Sequence, residues 1–176
     1  MRELYLRLIA EAQHSIFIEN PYLYHPTVVE ALCIAKQARP HVRIVLIVPT
    51  GEHNDNLFGQ DAQEHYYADY LACGIEVYEY RNHFNHLKIA AFDDRYTVHG
   101  STNLNYRSME DDCDFELVVL CDSRELATWV TREIRDADNN HSHRIELDEV
   151  NGYSLEAMRK RVRDPRTMLL LSRRML

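Results

Sequence analysis

Apolar and polar positions alternate along this chain with two periods, and the elements follow from them. Leu4, Leu8 and Ala12 fall on one stripe at helical spacing, so the chain opens with a helix. "SIFIE" alternates as a strand does. Thr27-Val-Val-Glu30 after Pro26 reads as a capping box that starts a helix running through about Ala38. "VRIVLIV" is apolar on both faces, which suits a central parallel strand covered by helices on each side. A further helix starts at Asp61, and Gly74 falls where a left-handed C-terminal cap is expected. "IEVYEY" is the next strand, another spans about Phe115 to Cys121, and a helix follows from Ser123. Strands alternating with helices predict an α/β fold, an α-β-α sandwich around a mixed, mostly parallel sheet. No internal repeat or linker interrupts it, so residues 1–176 read as a single domain. Residues 139–154 carry the weakest pattern and read as a polar loop. A basic helical tail at about 155–176, interrupted by Pro165, ends the chain.

"HLKIAAFDDRYTVHGSTN", from His86 to Asn103, lies between these elements and holds one of only three lysines. As a strand it turns His86, Lys88 and Ala90 one way and Leu87, Ile89 and Ala91 toward the core. Asp93-Asp94 supplies a tight turn, and "YTVHGS" returns. A two-residue loop would set Ser101 opposite His86 and His99 opposite Lys88. Gly100 removes a side chain where something must approach the backbone, and Asn103 follows as the chain leaves the sheet. An imidazole, an ammonium, a hydroxyl and a carboxamide gathered at one spot suit a phosphodiester. Lys88 offers charge, while Ser101 and Asn103 offer neutral donors to the non-bridging oxygens. His86, if neutral, is a nucleophile whose tautomer a nearby carboxylate can fix. "DCDFEL" supplies two such acids on one face, Asp114 and Glu116. A histidine beside a lysine on a strand is ordinarily surface, so the argument rests on the complete spacing.

That spacing resembles the phospholipase D superfamily signature: His-x-Lys, four residues, Asp, six residues, Gly-Ser-x-Asn. His86, Lys88, Asp93, Gly100, Ser101 and Asn103 all match without a gap. "ENPYLYHP" and "NLNYRSMEDDCDFEL" are similar to segments of cardiolipin-synthase-like members, so the likeness spans roughly Ser15 to Ala137. The resemblance implies that His86 forms a phosphohistidine and that Lys88, Ser101 and Asn103 hold the phosphate. An acid after the motif orients His86, and Asp93 mainly braces the hairpin. Asn105 stands where such members usually have Asp. By spacing, Asp114 ranks first as the orienting acid and Glu116 second. Only one motif is present, whereas the family's site needs two, one histidine attacking and the other protonating the leaving oxygen. Two copies pairing as a homodimer, or a second motif-bearing half, would supply the other.

Charge and cysteines refine this picture. The net charge is −8, but Met158 to Leu176 carries +6 and the remainder −14. An acidic body argues mildly against a nonspecific nucleic-acid binder, so phospholipid is the favoured substrate and nucleic acid ranks below it. The tail mixes Arg with Met and Leu; it is read first as a helix covering the core, and secondly as a peripheral membrane contact. Cys33, Cys73, Cys113 and Cys121 form no Cys-x-x-Cys pair and read as small buried hydrophobes in a reducing compartment. With no apolar run long enough to span a bilayer and no basic n-region, the expected location is cytoplasmic. No cofactor or metal is called for. His83 and His86 would face opposite ways on a strand, and "EDDCD" lacks the loop glycine of a calcium site. Tyr66, Tyr67 and Tyr70 lie at helical spacing and read as packing. The functions in contention are phosphodiester hydrolysis or phosphatidyl transfer, a dimeric nuclease of the same superfamily, and an inactive half-domain serving assembly.

Overall fold

The most apolar strand lies at the centre of the sheet. Arg43–Pro49 forms β2, buried from Ile44 onward. It runs parallel to β1 (Ser15–Glu19) on one side and to β3 (Glu76–Tyr80) on the other. β4 (Ile89–Phe92) lies antiparallel to β1, β5 (Tyr96–Gly100) to β4, and β6 (Val118–Asp122) to β5. A short β7 (Ser142–Arg144) closes the other edge antiparallel to β3. The computed structural model, which describes residues 1–54, 56–110 and 114–150, therefore contains a seven-stranded mixed sheet of order β6-β5-β4-β1-β2-β3-β7. The α/β sandwich is as the alternation predicts. Parallel pairing is confined to β1, β2 and β3, whose connections run through helices; the other four pairings are antiparallel, and of these only β4–β5 is closed by a tight turn.

Both faces of the sheet are covered. On one, α1 (Arg2–Glu11), α2 (Pro26–Ala38) and α4 (Tyr67–Ala72) bury Tyr5, Leu32 and Tyr70 against Ile16, Leu46 and Val98. On the other, Phe17, Val45, Ile47 and Ala91 meet Val130, with Leu126 and Ile134 packed beside them. The covering segment is α6 (Arg124–Trp129), continued by a π-helical turn Val130–Arg135 and α7 (Asp136–Asn140). Tyr67 and Tyr70 are core residues, their hydroxyls donating to Glu79 Oε1 at 3.1 Å and to the Leu23 carbonyl at 3.3 Å. This is the packing role that their spacing implied.

Several local expectations are revised. α2 begins at Pro26 with His25 as its N-cap, so Thr27 lies inside the helix and forms no capping box. α3 (Leu57–His65) begins before Asp61, capped by Asn56, whose side chain accepts from the Gly59 amide. Gly74 does take the left-handed conformation, φ 82°, that ends α4. Residues 139–150 are not a plain loop, since they hold the end of α7, β7 and α8 (Leu147–Val150). β7 is too short for alternation to show in the sequence. Cys33 on α2 and Cys73 after α4 form a disulfide, Cα–Cα 5.4 Å, where buried thiols were expected. Packing of α2 against α4 brings them together across 40 residues. Disulfides persist in oxidising surroundings, so the cysteines no longer argue for a reducing compartment. Among the described residues no helix is long and apolar enough to cross a membrane. The basic tail at about 155–176, Pro165, Cys113 and most of the acidic "EDDCD" run lie outside the described residues.

Candidate active site

Five of the six signature residues, all but Asp93, collect where three adjacent strands share an end. β4 starts at Ile89, β5 stops at Gly100 and β6 starts at Val118. His86 and Lys88, Ser101 and Asn103, and Asp114 and Glu116 therefore leave the sheet on the same side. β1 is antiparallel to β4, pairing Glu19 with Ile89, so this is also the carboxyl end of the parallel strands. In open α/β sheets that end is where ligands bind.

The hairpin turn has three residues, Asp93 to Arg95, with Asp93 at φ 52°. The register is therefore shifted by one from the two-residue expectation, and Ile89 opposes His99. Lys88 consequently faces Gly100, whose amide donates to the Lys88 carbonyl at 3.3 Å. His86 and Lys88 precede β4 and are not strand residues. Ala90, expected beside them, is a core residue of one layer, Ala91 belongs to the other, and Leu87 is exposed. A sheet covered on both faces has no solvent side for alternation to mark.

The approach to Gly100 comes from β6. A Cβ on Gly100 would lie 2.0 Å from the Leu117 carbonyl oxygen, so no other residue fits without moving backbone. The same carbonyl accepts from the Ser101 amide at 3.0 Å, and the Leu117 amide donates to Ser101 Oγ at 3.0 Å. Ser101 Oγ in turn hydrogen-bonds to Glu116 Oε2, and Ser108 Oγ donates to Glu116 Oε1 at 2.5 Å. Asp114 points elsewhere, ion-paired to Arg107 at 2.7 Å. Of the two acids only Glu116 is thus joined to a signature residue. Lys88 Nζ lies 3.2 Å from the His86 carbonyl oxygen, and the Asn103 Oδ1 atom is buried without a hydrogen-bond partner.

The "ENPYLYHP" segment braces this end. Asn20 Nδ2 donates to the Thr102 carbonyl at 3.1 Å, and Asn20 Oδ1 accepts from the Leu104 and Tyr22 amides. The Tyr24 and His25 amides both donate to the Leu104 carbonyl at 2.9 Å. Asn105 caps α5 (Tyr106–Met109), accepting from the Ser108 amide at 3.0 Å, which an Asp there would also do. Asp93 lies at the opposite end of the hairpin and accepts from the Gln13, His14 and Ser15 amides. Partial burial would raise its pKa, but those amides hold it below the ordinary value. Among the described residues no group of three or more His, Cys, Asp or Glu is placed to hold a metal ion, and His83 packs edge-on against Tyr80. Ser108, Asn20, Glu19 and Asn85 carry polar contacts at this end that the motif did not reveal. Polar residues closing an apolar strand, as Glu19-Asn20 do, were the available signal.

This chain resembles known proteins in sequence and in fold. A probable cardiolipin synthase, YwiE of Bacillus subtilis (strain 168), is 33% identical over 129 residues, covering 73% of this chain and 25% of that protein. Cardiolipin synthase 1 of Bacillus anthracis is 26% identical over 162 residues, 92% of this chain and 30% of its own length. The chain thus spans less than a third of either relative. Two solved structures share the fold. Nuc, a phospholipase D family member from Salmonella typhimurium, has TM-score 0.67 and 23% identity over 82% of this chain and 90% of Nuc. NucT from Helicobacter pylori has TM-score 0.61 and 16% identity over 80% of this chain and 87% of NucT. The family model described as the phospholipase D-like domain of cardiolipin synthase matches residues 5–137, which hold every signature position, and the chain belongs to that family.

Proposed function

We propose that this chain cleaves or transfers phosphodiesters through a covalent phosphohistidine at His86, with a phospholipid as substrate. The observation that carries this reading is the convergence of His86, Lys88, Ser101 and Asn103 at one end of β4 and β5, with Glu116 bound to Ser101. A neutral His86 ring nitrogen attacks phosphorus, and the bond to the leaving alkoxide breaks as that oxygen takes a proton from a second motif's histidine. Water or an alcohol then attacks phosphorus, the P–N bond breaks to free the neutral His86 imidazole, and the attacking oxygen gives its proton to that second histidine. Lys88 and Asn103 offset the charge on the non-bridging oxygens, while Glu116 is assigned the orienting role in preference to Asp114.

A phospholipid is favoured by the acidic body and the cardiolipin synthase relatives. A nucleic-acid diester is the second reading, since the same groups would serve any phosphodiester. The second motif comes from another copy of the chain or from a second half. His86→Asn, assayed on glycerophospholipid vesicles and on DNA, separates these readings. Loss of turnover with retained fold, and a phosphoprotein trapped by alkaline quench only in the wild type, is the expected result. Unchanged turnover in the variant removes the proposed nucleophile.

A further inference from the structure

Glu19 is 2% exposed at the end of β1, paired with Ile89 at the start of β4, and the mechanism above does not use it. It shares its sheet face with Phe17, so its side chain enters the second apolar layer. A carboxylate there is costly, and a neighbouring carboxylate, Asp138 of α7, makes it more so. Burial first and then Asp138 push the Glu19 pKa up to about 9, which keeps the group neutral at physiological pH. An apolar side chain would fill the same space without that cost. What Glu19 contributes is a hydrogen bond: its Oε1 accepts from Asn85 Nδ2. Asn85, itself 8% exposed, then accepts from the Leu87 amide at Oδ1, 3.0 Å away. Residues 81–88 belong to no strand, so side-chain bonds hold the His86–Leu87 peptide: Asn85 takes its amide, and Lys88 Nζ lies 3.2 Å from its carbonyl oxygen.

We propose that Glu19 and Asn85 are positioning residues, a buried carboxyl-amide brace that fixes the His86–Leu87 peptide and thereby the approach of the His86 imidazole. The brace ties the nucleophile's loop to the end of β1, whose next residue, Asn20, holds the Thr102–Leu104 segment, so the loop is held before substrate arrives. Such pre-orientation is worth most in the chemical step, where small displacements are expensive. The catalytic part of the proposal rests on the phosphohistidine reading, while the brace itself does not.

The full chain, labelled for amide exchange by NMR, separates the two. Glu19→Ala and Asn85→Ala should each speed exchange at the Leu87 amide by about tenfold or more, leaving Ala90 and Ala91 in β4 unchanged. Glu19→Gln, which keeps an acceptor for Asn85, should retain wild-type protection. On bis(p-nitrophenyl) phosphate both alanine variants should lose about tenfold or more in kcat with KM within about twofold, and Glu19→Gln should restore kcat. If Glu19→Ala fails to fold, Asn85→Ala carries both measurements, because Asn85 lies outside the sheet. Leu87 exchange unchanged in the alanine variants overturns the brace. A kcat loss that Glu19→Gln does not restore overturns the positioning role. A wild type that cleaves no diester, alone or mixed with a second motif-bearing half, yet shows the Leu87 pattern removes the phosphohistidine reading and leaves the brace standing.

Discussion

The Ser101 hydroxyl and the Glu116 carboxylate are hydrogen-bonded to each other across the gap between the end of β5 and the start of β6. Ser108 holds the other Glu116 oxygen, so the carboxylate is fixed at both ends beside the signature loop. Asp114, two residues earlier, is tied to Arg107 instead. Glu116→Gln should therefore lower turnover of a chromogenic phosphodiester by about a hundredfold, within the range general acid–base and orienting groups supply. Asp114→Asn should stay within about threefold of wild type, since an exposed ion pair contributes about 1 kcal/mol at most. The reverse ranking in the two variants would return the orienting role to Asp114.

Gly100 is held by the β6 backbone and not by a flexible side chain. Gly100→Ala must push Leu117 away, at a cost of about 1–3 kcal/mol. The displaced carbonyl is the one bonded to Ser101, so activity should fall together with the melting temperature. A variant that melts with the wild type would mean that β5 and β6 separate more easily than the contact implies.

Asp93 gives an acid-side prediction. Its folded pKa is depressed, so its contribution is present above the unfolded value of about 3.9 and is lost as pH falls through the lower folded value. Asp93→Ala should lose about 1 kcal/mol at neutral pH, discounted for partial exposure. Urea melts at neutral pH and near pH 3 test the sign: the gap between wild type and variant should narrow in acid.

The disulfide closes α2 onto the end of α4, away from the signature residues. Reduction, or Cys33→Ser, should lower stability by about 2–4 kcal/mol, as expected for a loop of this length. Activity per folded molecule should be unchanged. Thermal melts with and without reductant measure the first, and turnover below the melting range measures the second.

Local chemistry made the signature legible. His86, Lys88, Asp93 and Gly-Ser-x-Asn lie within 18 residues, so residue type and spacing alone name them, and β1 and β2 are as the pattern places them. The turn was less legible because Asp-Asp-Arg suits two residues or three. Asp93 tolerates the left-handed conformation that adds the third, and one residue changes which side chains oppose each other.

Through residue order alone, the sequence determined which side chains carry the family signature and that helices cover both faces of a sheet. Which acid meets Ser101 was decided by the pairing of β5 with β6, because Asp114 and Glu116 share one periodicity and differ only in what lies opposite. The Cys33–Cys73 bond was decided by helix packing, and the Glu19–Asn85 brace by the pairing of β1 with β4, which sets Glu19 beside the segment that enters β4. Contacts between residues 40 or 66 positions apart leave no periodic trace, since periodicity records only which face a residue occupies and never its distant neighbour.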